Sequence, residues 1–150
     1  YDMAWVTSPD LLAGRKSISS QDLADLPLIE YAPGSPPGQL QSAYFVEAAA
    51  TPHHINVSNS MSTMIQLAVA GLGVAAVPPA AIDRHLLDGL LVEMPVVRAF
   101  DPITFYLFYK EIPDSQIVRA VAAQTIASAD AFALKHARAR LVSDREQLAS

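Results

Sequence analysis

The sequence predicts an α/β domain built on a mostly parallel sheet flanked by helices. Three observations predict it. Strand-like and helix-like segments alternate across residues 28–94, the order from which parallel sheets with helical crossovers are built. Val74, Ala75, Ala76 and Val77 place no polar side chain on either face, as a strand covered on both sides requires. The passage NVSNSMSTMIQLAVAGLGVAAVPP, residues 56–79, reads in order as a strand end, a capped helix, a Gly-Leu-Gly turn, a buried strand and a Pro-Pro stop.

The elements follow in chain order. Ala4, Trp5 and Val6 form a short strand that runs into a Ser8-Pro9-Asp10 turn. Ser19 and Ser20 before Asp22-Leu23 predict a short capped helix ending before Pro27. Residues 28–31 form a strand, and Pro33-Gly34-Ser35-Pro36-Pro37-Gly38 a loop. A helix over 39–50 is stopped by Pro52, and residues 54–57 form the next strand. Met64, Leu67, Ala68 and Leu72 recur near helical spacing over 60–72, with Gly71 and Gly73 suited to a left-handed cap. After the buried strand, Pro79 opens a helix to Leu87, Gly89 stops it, and residues 90–94 form a strand. ITFYLFY, residues 103–109, has the strongest β character in the chain. A last helix starts near Asp114 and carries Ile117, Val118, Val121, Ile126 and Phe132, before a basic, polar tail.

Composition narrows the function classes. The apolar fraction is 51% and the charged fraction 17%, enough apolar material for a real core and unlike a disordered acidic chain. The net charge of −5 disfavours contact with a phosphate backbone. There is no cysteine, which excludes disulfides and thiolate chemistry and suits the cytoplasm. The chain opens on Tyr1 without a basic or apolar leader and enters a strand almost at once, which reads as the start of a fragment. The longest uncharged apolar run, residues 67–82, is shorter than the roughly 20 residues of a membrane span and is broken by glycine and proline.

Candidate binding residues gather where strands give way to helices. Asn59, Ser60, Met61 and Ser62 begin a helix, whose first turn has unpaired N–H groups and a partial positive charge suited to a carboxylate. Ordinary N-capping accounts for the same residues. Gly34 and Ser35 follow a strand at its carboxyl end, where open α/β sheets bind ligands, in a rigid loop with exposed amides; a plain turn is the alternative. Pro78 ends the buried strand, either lining the same cleft or simply starting a helix. His53, His54, His85 and His136 show no metal-ligand spacing, and no Gly-x-Ser-x-Gly elbow surrounds a serine. Asp22, Asp25, Asp83 and Asp88 fall at helix ends, where capping explains them better than acid–base catalysis. Neither an enzyme nor a cofactor or metal site is predicted.

SPDLLAG, DLADLPLIEYAPGS, NSMSTMIQLAVAGLGVAAVPPAAI and LLDGLLVEMP, in that order and spacing, resemble the effector-binding domain of LysR-type transcriptional regulators from Trp5 to about Phe132. The resemblance implies a lobe of the type 2 periplasmic-binding-protein fold, with the first lobe largely missing. It implies a small-molecule effector, often a carboxylate, in a cleft between lobes. It further implies homo-oligomer contacts through this domain, DNA binding only through an absent N-terminal winged helix-turn-helix, no membrane partner, and a cytoplasmic location. On this reading residues 1–102 are the second lobe, residues 103–142 the strand and helix that return to the first lobe, and 143–150 a tail. A stand-alone solute-binding domain of the same fold is the alternative.

Overall fold

The computed structural model describes residues 1–110, 115–136 and 138–139. The expected helix start at Asp114 and the tail over 143–150 lie outside the described residues. The chain forms two compact units: residues 2–103, and Tyr1 with the residues from 104 on.

The first unit is a five-stranded sheet in the order β3-β2-β4-β1-β5. Its strands are β1 (Ala4–Thr7), β2 (Pro27–Glu30), β3 (His54–Val57), β4 (Val74–Val77) and β5 (Val92–Glu93). β2 lies parallel to both β3 and β4, while β1 runs antiparallel to β4 and β5. The parallel core matches the alternation of strands and helices; the antiparallel strands make the whole sheet mixed. All four residues of β4 are buried, as their lack of polar side chains predicted.

Helix α3 (Pro36–Glu47) joins β2 to β3, and α4 (Met61–Val69) joins β3 to β4. The chain steps one way across the sheet through α3 and back the other way through α4. Right-handed crossovers therefore put the two helices on opposite faces. Trp5 pairs with Ala76 and Leu28 with Val74, so these four share one face. Tyr44 and Phe45 of α3 pack edge-on and tilted against Trp5 at 5.5 and 5.6 Å between ring centres, and Phe100 lies at 4.9 Å. Helix α4 packs against β4 and β2. It closes on Gly71, one of the two glycines expected to cap it: Gly71 adopts φ +72°, the Gly71 amide donates to Ala68 O and the Leu72 amide to Leu67 O, while Gly73 is not left-handed. Gly73 is needed for space, since a Cβ there would lie 2.7 Å from Pro27 O.

Several expectations are corrected. Pro36 and Pro37 are not loop; they open α3, because the first helical positions need no N–H and proline's fixed φ already suits them. Pro9 does the same for a short α1 (Pro9–Leu12) instead of a plain turn. The helix after β4 splits into a 3₁₀ turn (Pro79–Ala81) and α5 (Asp83–Leu87). The strand expected over 90–94 pairs only at Val92 and Glu93.

Helix α2 (Ser20–Ala24) begins with the predicted cap. Ser19 Oγ accepts from the Asp22 amide at 3.1 Å, and Asp22 Oδ2 accepts from the Ser19 amide at 2.9 Å and its hydroxyl at 2.6 Å. Those bonds hold the Asp22 carboxyl below its ordinary pKa. A lowered carboxyl pKa stabilises the fold above the ordinary carboxylate range, and that contribution disappears as pH falls through the native value. Asp22→Asn is therefore expected to lower the melting temperature near neutral pH, with the gap to the parent closing in acid. A gap that stays constant with pH excludes this account.

The predicted strand over 103–109 is absent: residues 101–110 belong to no helix or strand. β character needs a neighbouring backbone to form a ladder with, and none of the described β ladders includes these residues. Phe105, Tyr106, Leu107, Phe108 and Tyr109 are exposed. Helix α6 (Gln116–Lys135) carries the expected apolar residues, with Ile117, Val121 and Ile126 exposed. By length and composition α6 is also the one described helix able to cross a membrane, a property the sequence reading did not single out.

Candidate functional site

Because β3, β2 and β4 are parallel, their carboxyl ends share one edge of the sheet. The segments that follow that edge contain all seven predicted binding residues: Gly34 and Ser35 in the loop after β2, Asn59 and Ser60 in the loop after β3, Met61 and Ser62 in the first turn of α4, and Pro78 directly after β4. The fold thus brings to one edge of the sheet residues that stand as much as 44 positions apart in the chain (78 − 34).

The start of α4 has free donors. Ser60 Oγ accepts from the Thr63 amide at 3.3 Å, and Ser60 O accepts from the Met64 amide at 3.0 Å. The amides of Met61 and Ser62 precede any possible intrahelical acceptor and point out of the first turn. Ser58 shapes the approach: its hydroxyl accepts from the Ser60 amide at 3.2 Å, while its own amide donates to Glu30 O at 2.9 Å. Asn59, Ser60, Ser62 and Thr63 are exposed and Met61 is half-buried, so no neighbouring side chain seals this turn.

The start of α3 is different. Pro36 and Pro37 have no amide hydrogen, the Gly38 amide donates to Ser35 Oγ at 3.2 Å, and the Gln39 amide donates to Ser35 O at 2.8 Å. The Ser35 amide and hydroxyl both donate to Ala32 O, at 3.1 and 2.7 Å. Ser35 is therefore occupied with its own turn, and the exposed amides expected across this loop are mostly spent. Gly34, at φ +89°, provides the left-handed bend and stands open to solvent. Pro78 is buried, and its carbonyl accepts from the Ala81 amide at 2.9 Å.

Two residues at this edge were not singled out from the sequence. Gln41 of α3 is fully buried; its Oε1 accepts from the Tyr31 amide at 2.9 Å and its Nε2 donates to Ile29 O at 3.5 Å, tying the helix to the end of β2. Glu30 ends β2 half-buried, and burial raises its carboxyl pKa. A charge inside the apolar run Leu28-Ile29-Glu30-Tyr31 was the available signal. Among the described residues, no group of His, Asp and Glu is arranged to hold a metal ion.

The family model for the LysR substrate binding domain matches residues 1–129. The chain belongs to this family. Solved structures agree on the fold. The regulatory domain of MetR, a LysR family regulator from N. meningitidis, shares 22% identity at a TM-score of 0.55, over 67% of this chain and 48% of that one. The AmpR effector domain of Pseudomonas aeruginosa shares 17% identity at a TM-score of 0.60, over 90% of this chain and 66% of that one. The AmpR effector-binding domain from Citrobacter freundii gives 23% and 0.53, over 67% and 48%. The chain thus spans about half the length of the first of these relatives. A comparison with curated proteins found no match. The architecture is that of a type 2 periplasmic-binding-protein-like lobe, as the resemblance implied.

Proposed function

We propose that this chain senses a small acidic molecule at the carboxyl edge of its parallel strands, as the second lobe of a LysR-type effector domain. The observation that carries the reading is the open first turn of α4: two amides without acceptors, beside the hydroxyls of Ser60, Ser62 and Thr63. Asn59, Ser60, Met61 and Ser62 contact the acid; Gly34, Ser35 and Pro78 form the rim. Residues 1–102 are this lobe, and residues 103–142 return to the other lobe, where the bare apolar stretch 104–109 and the exposed side of α6 find cover. Closure of the lobes on the effector shifts a population of oligomer arrangements, and so the spacing of winged helix-turn-helix heads elsewhere in the intact protein. The edge strand β3, exposed along its whole length, supports assembly into a homo-oligomer in the cytoplasm. No catalytic role is assigned.

The test begins with a thermal-shift screen of the intact protein against small organic acids. Ser60→Ala and Ser62→Ala are then compared with the parent. Ser60→Ala costs about 1 kcal/mol of stability through the lost cap and weakens the shift given by the acid. Ser62→Ala, which removes no capping bond seen here, weakens the shift with stability unchanged. Unaltered binding in both variants removes the site.

A further inference from the structure

Residues 94–103 carry the chain from β5 to Ile103, the last residue of the first unit. Backbone bonds hold the early part. The Met94 amide donates to Trp5 O at 2.8 Å, the Ile18 amide to Pro95 O at 3.0 Å and the Val97 amide to Ile18 O at 3.0 Å. Residues 98–103 belong to no helix and to none of the described β ladders. Side chains take over there. The Tyr44 hydroxyl, on α3, donates to Arg98 O at 3.0 Å. The Tyr44 ring lies 5.6 Å from the Arg98 guanidinium carbon and 4.8 Å from the Phe100 ring. Glu47, three positions further along the same face of α3, pairs with the Arg98 guanidinium. Phe100 in turn covers Trp5 at 4.9 Å between ring centres.

Trp5 and Phe100 each stand three residues inside an end of the unit, Asp2 and Ile103 (5 − 2 and 103 − 100). The entering and the leaving passages of the chain therefore meet at one ring contact, and Tyr44 touches both rings. The fastening is weaker than the sheet beneath it. The Arg98 and Glu47 side chains are 37% and 54% exposed, so water and salt weaken their attraction. Cation–ring and ring–ring contacts are individually small. Trp5 is buried and belongs to a paired strand, while Ile103 is buried at the far end of the segment. A stretch held between two fixed points by a few weak side-chain contacts opens at lower cost than the sheet that carries it.

We propose that residues 98–102 form a strap, latched on α3 by Tyr44 and Glu47 through Arg98, which opens by itself while the sheet stays folded. The open state lifts Phe100 off Trp5 and puts slack into the passage between Val97 and Ile103. On the preceding reading of residues 1–102 as a sensing lobe, the latch sets how much slack the chain has on leaving that lobe. Helix α3, which starts beside Ser35 on the candidate edge, is the element that carries the latch.

The experiment uses the full 150-residue chain, in which Trp5 is the sole tryptophan. Its indole N–H is buried without a hydrogen-bond partner, so burial alone protects it. Hydrogen exchange of that proton is followed by NMR and acrylamide quenching by fluorescence, both without denaturant, with far-UV circular dichroism alongside. Arg98→Met keeps the apolar stem and removes the charge; Tyr44→Phe keeps the ring and removes the hydroxyl. Each is expected to make the strap open about tenfold more often, the loss of one or two such contacts. Indole exchange then speeds up about tenfold and quenching increases, with circular dichroism unchanged. Salt at ~1 M, where the screening length is about 3 Å, should speed exchange in the parent and not in Arg98→Met. Arg98→Lys should restore part of that salt dependence. If exchange and quenching match the parent in both variants, the strap is overturned even where the urea midpoint falls, because a purely structural contact moves the midpoint alone. Faster exchange with lost circular dichroism also overturns it, since the sheet then opens with the segment. No effector is used, so neither failure bears on the α4 site.

Discussion

Trp5→Ala is expected to destabilise the unit formed by residues 2–103 by about 3–5 kcal/mol, the range for deleting a large buried aromatic. Trp5 is 1% exposed and is packed by Tyr44, Phe45 and Phe100. It therefore joins β1 to α3, and its strand lies beside the end of β4 where Pro78 leaves the sheet. The indole Nε1 is buried without a hydrogen-bond partner, so the side chain acts through shape and contact alone. Trp5→Phe should consequently cost much less, having lost volume but no hydrogen bond. Urea denaturation of the three proteins checks both statements. Equal loss in the two variants would show that the ring cluster is not what holds α3 on the sheet.

Gln41→Leu is expected to cost about 2 kcal/mol, because the buried Tyr31 amide loses its acceptor. The side chain is nearly isosteric, so cavity formation contributes little. Its Oε1 is the acceptor for the Tyr31 amide, and that bond fixes where the chain leaves β2 toward Gly34 and Ser35. Amide hydrogen exchange at Tyr31 should accelerate in the variant more than exchange at Leu28, which sits within the ladder. Gln41→Glu keeps the acceptor but buries a charge, and should be no more stable than Gln41→Leu. A variant with parent stability and unchanged Tyr31 exchange would show that the strut is dispensable.

Local chemistry was read well where a residue's role depends on its immediate neighbours. The Ser19–Asp22 box, the Gly71 cap and the Ser60 cap involve partners within a few residues, so composition and spacing identify them. The loop reading failed at Pro36-Pro37 because proline has two opposite meanings: it breaks a helix from inside and favours one at its start. The strand reading failed over 103–109 because β propensity records a preference for pairing, and the pairing strand is not among the described residues.

Gln41 shows the other limit. It has no partner in sequence that marks it, and it matters because α3 folds back over β2.

By itself the sequence determined the α/β class, the order of most elements, the family pattern and the capped start of α4, since each follows from periodicity and short-range hydrogen bonding. Tertiary structure alone decided that β1 and β5 run antiparallel and that the loops after β2, β3 and β4 share one edge. Strand order and direction arise from contacts between residues far apart in the chain, and no local pattern encodes them.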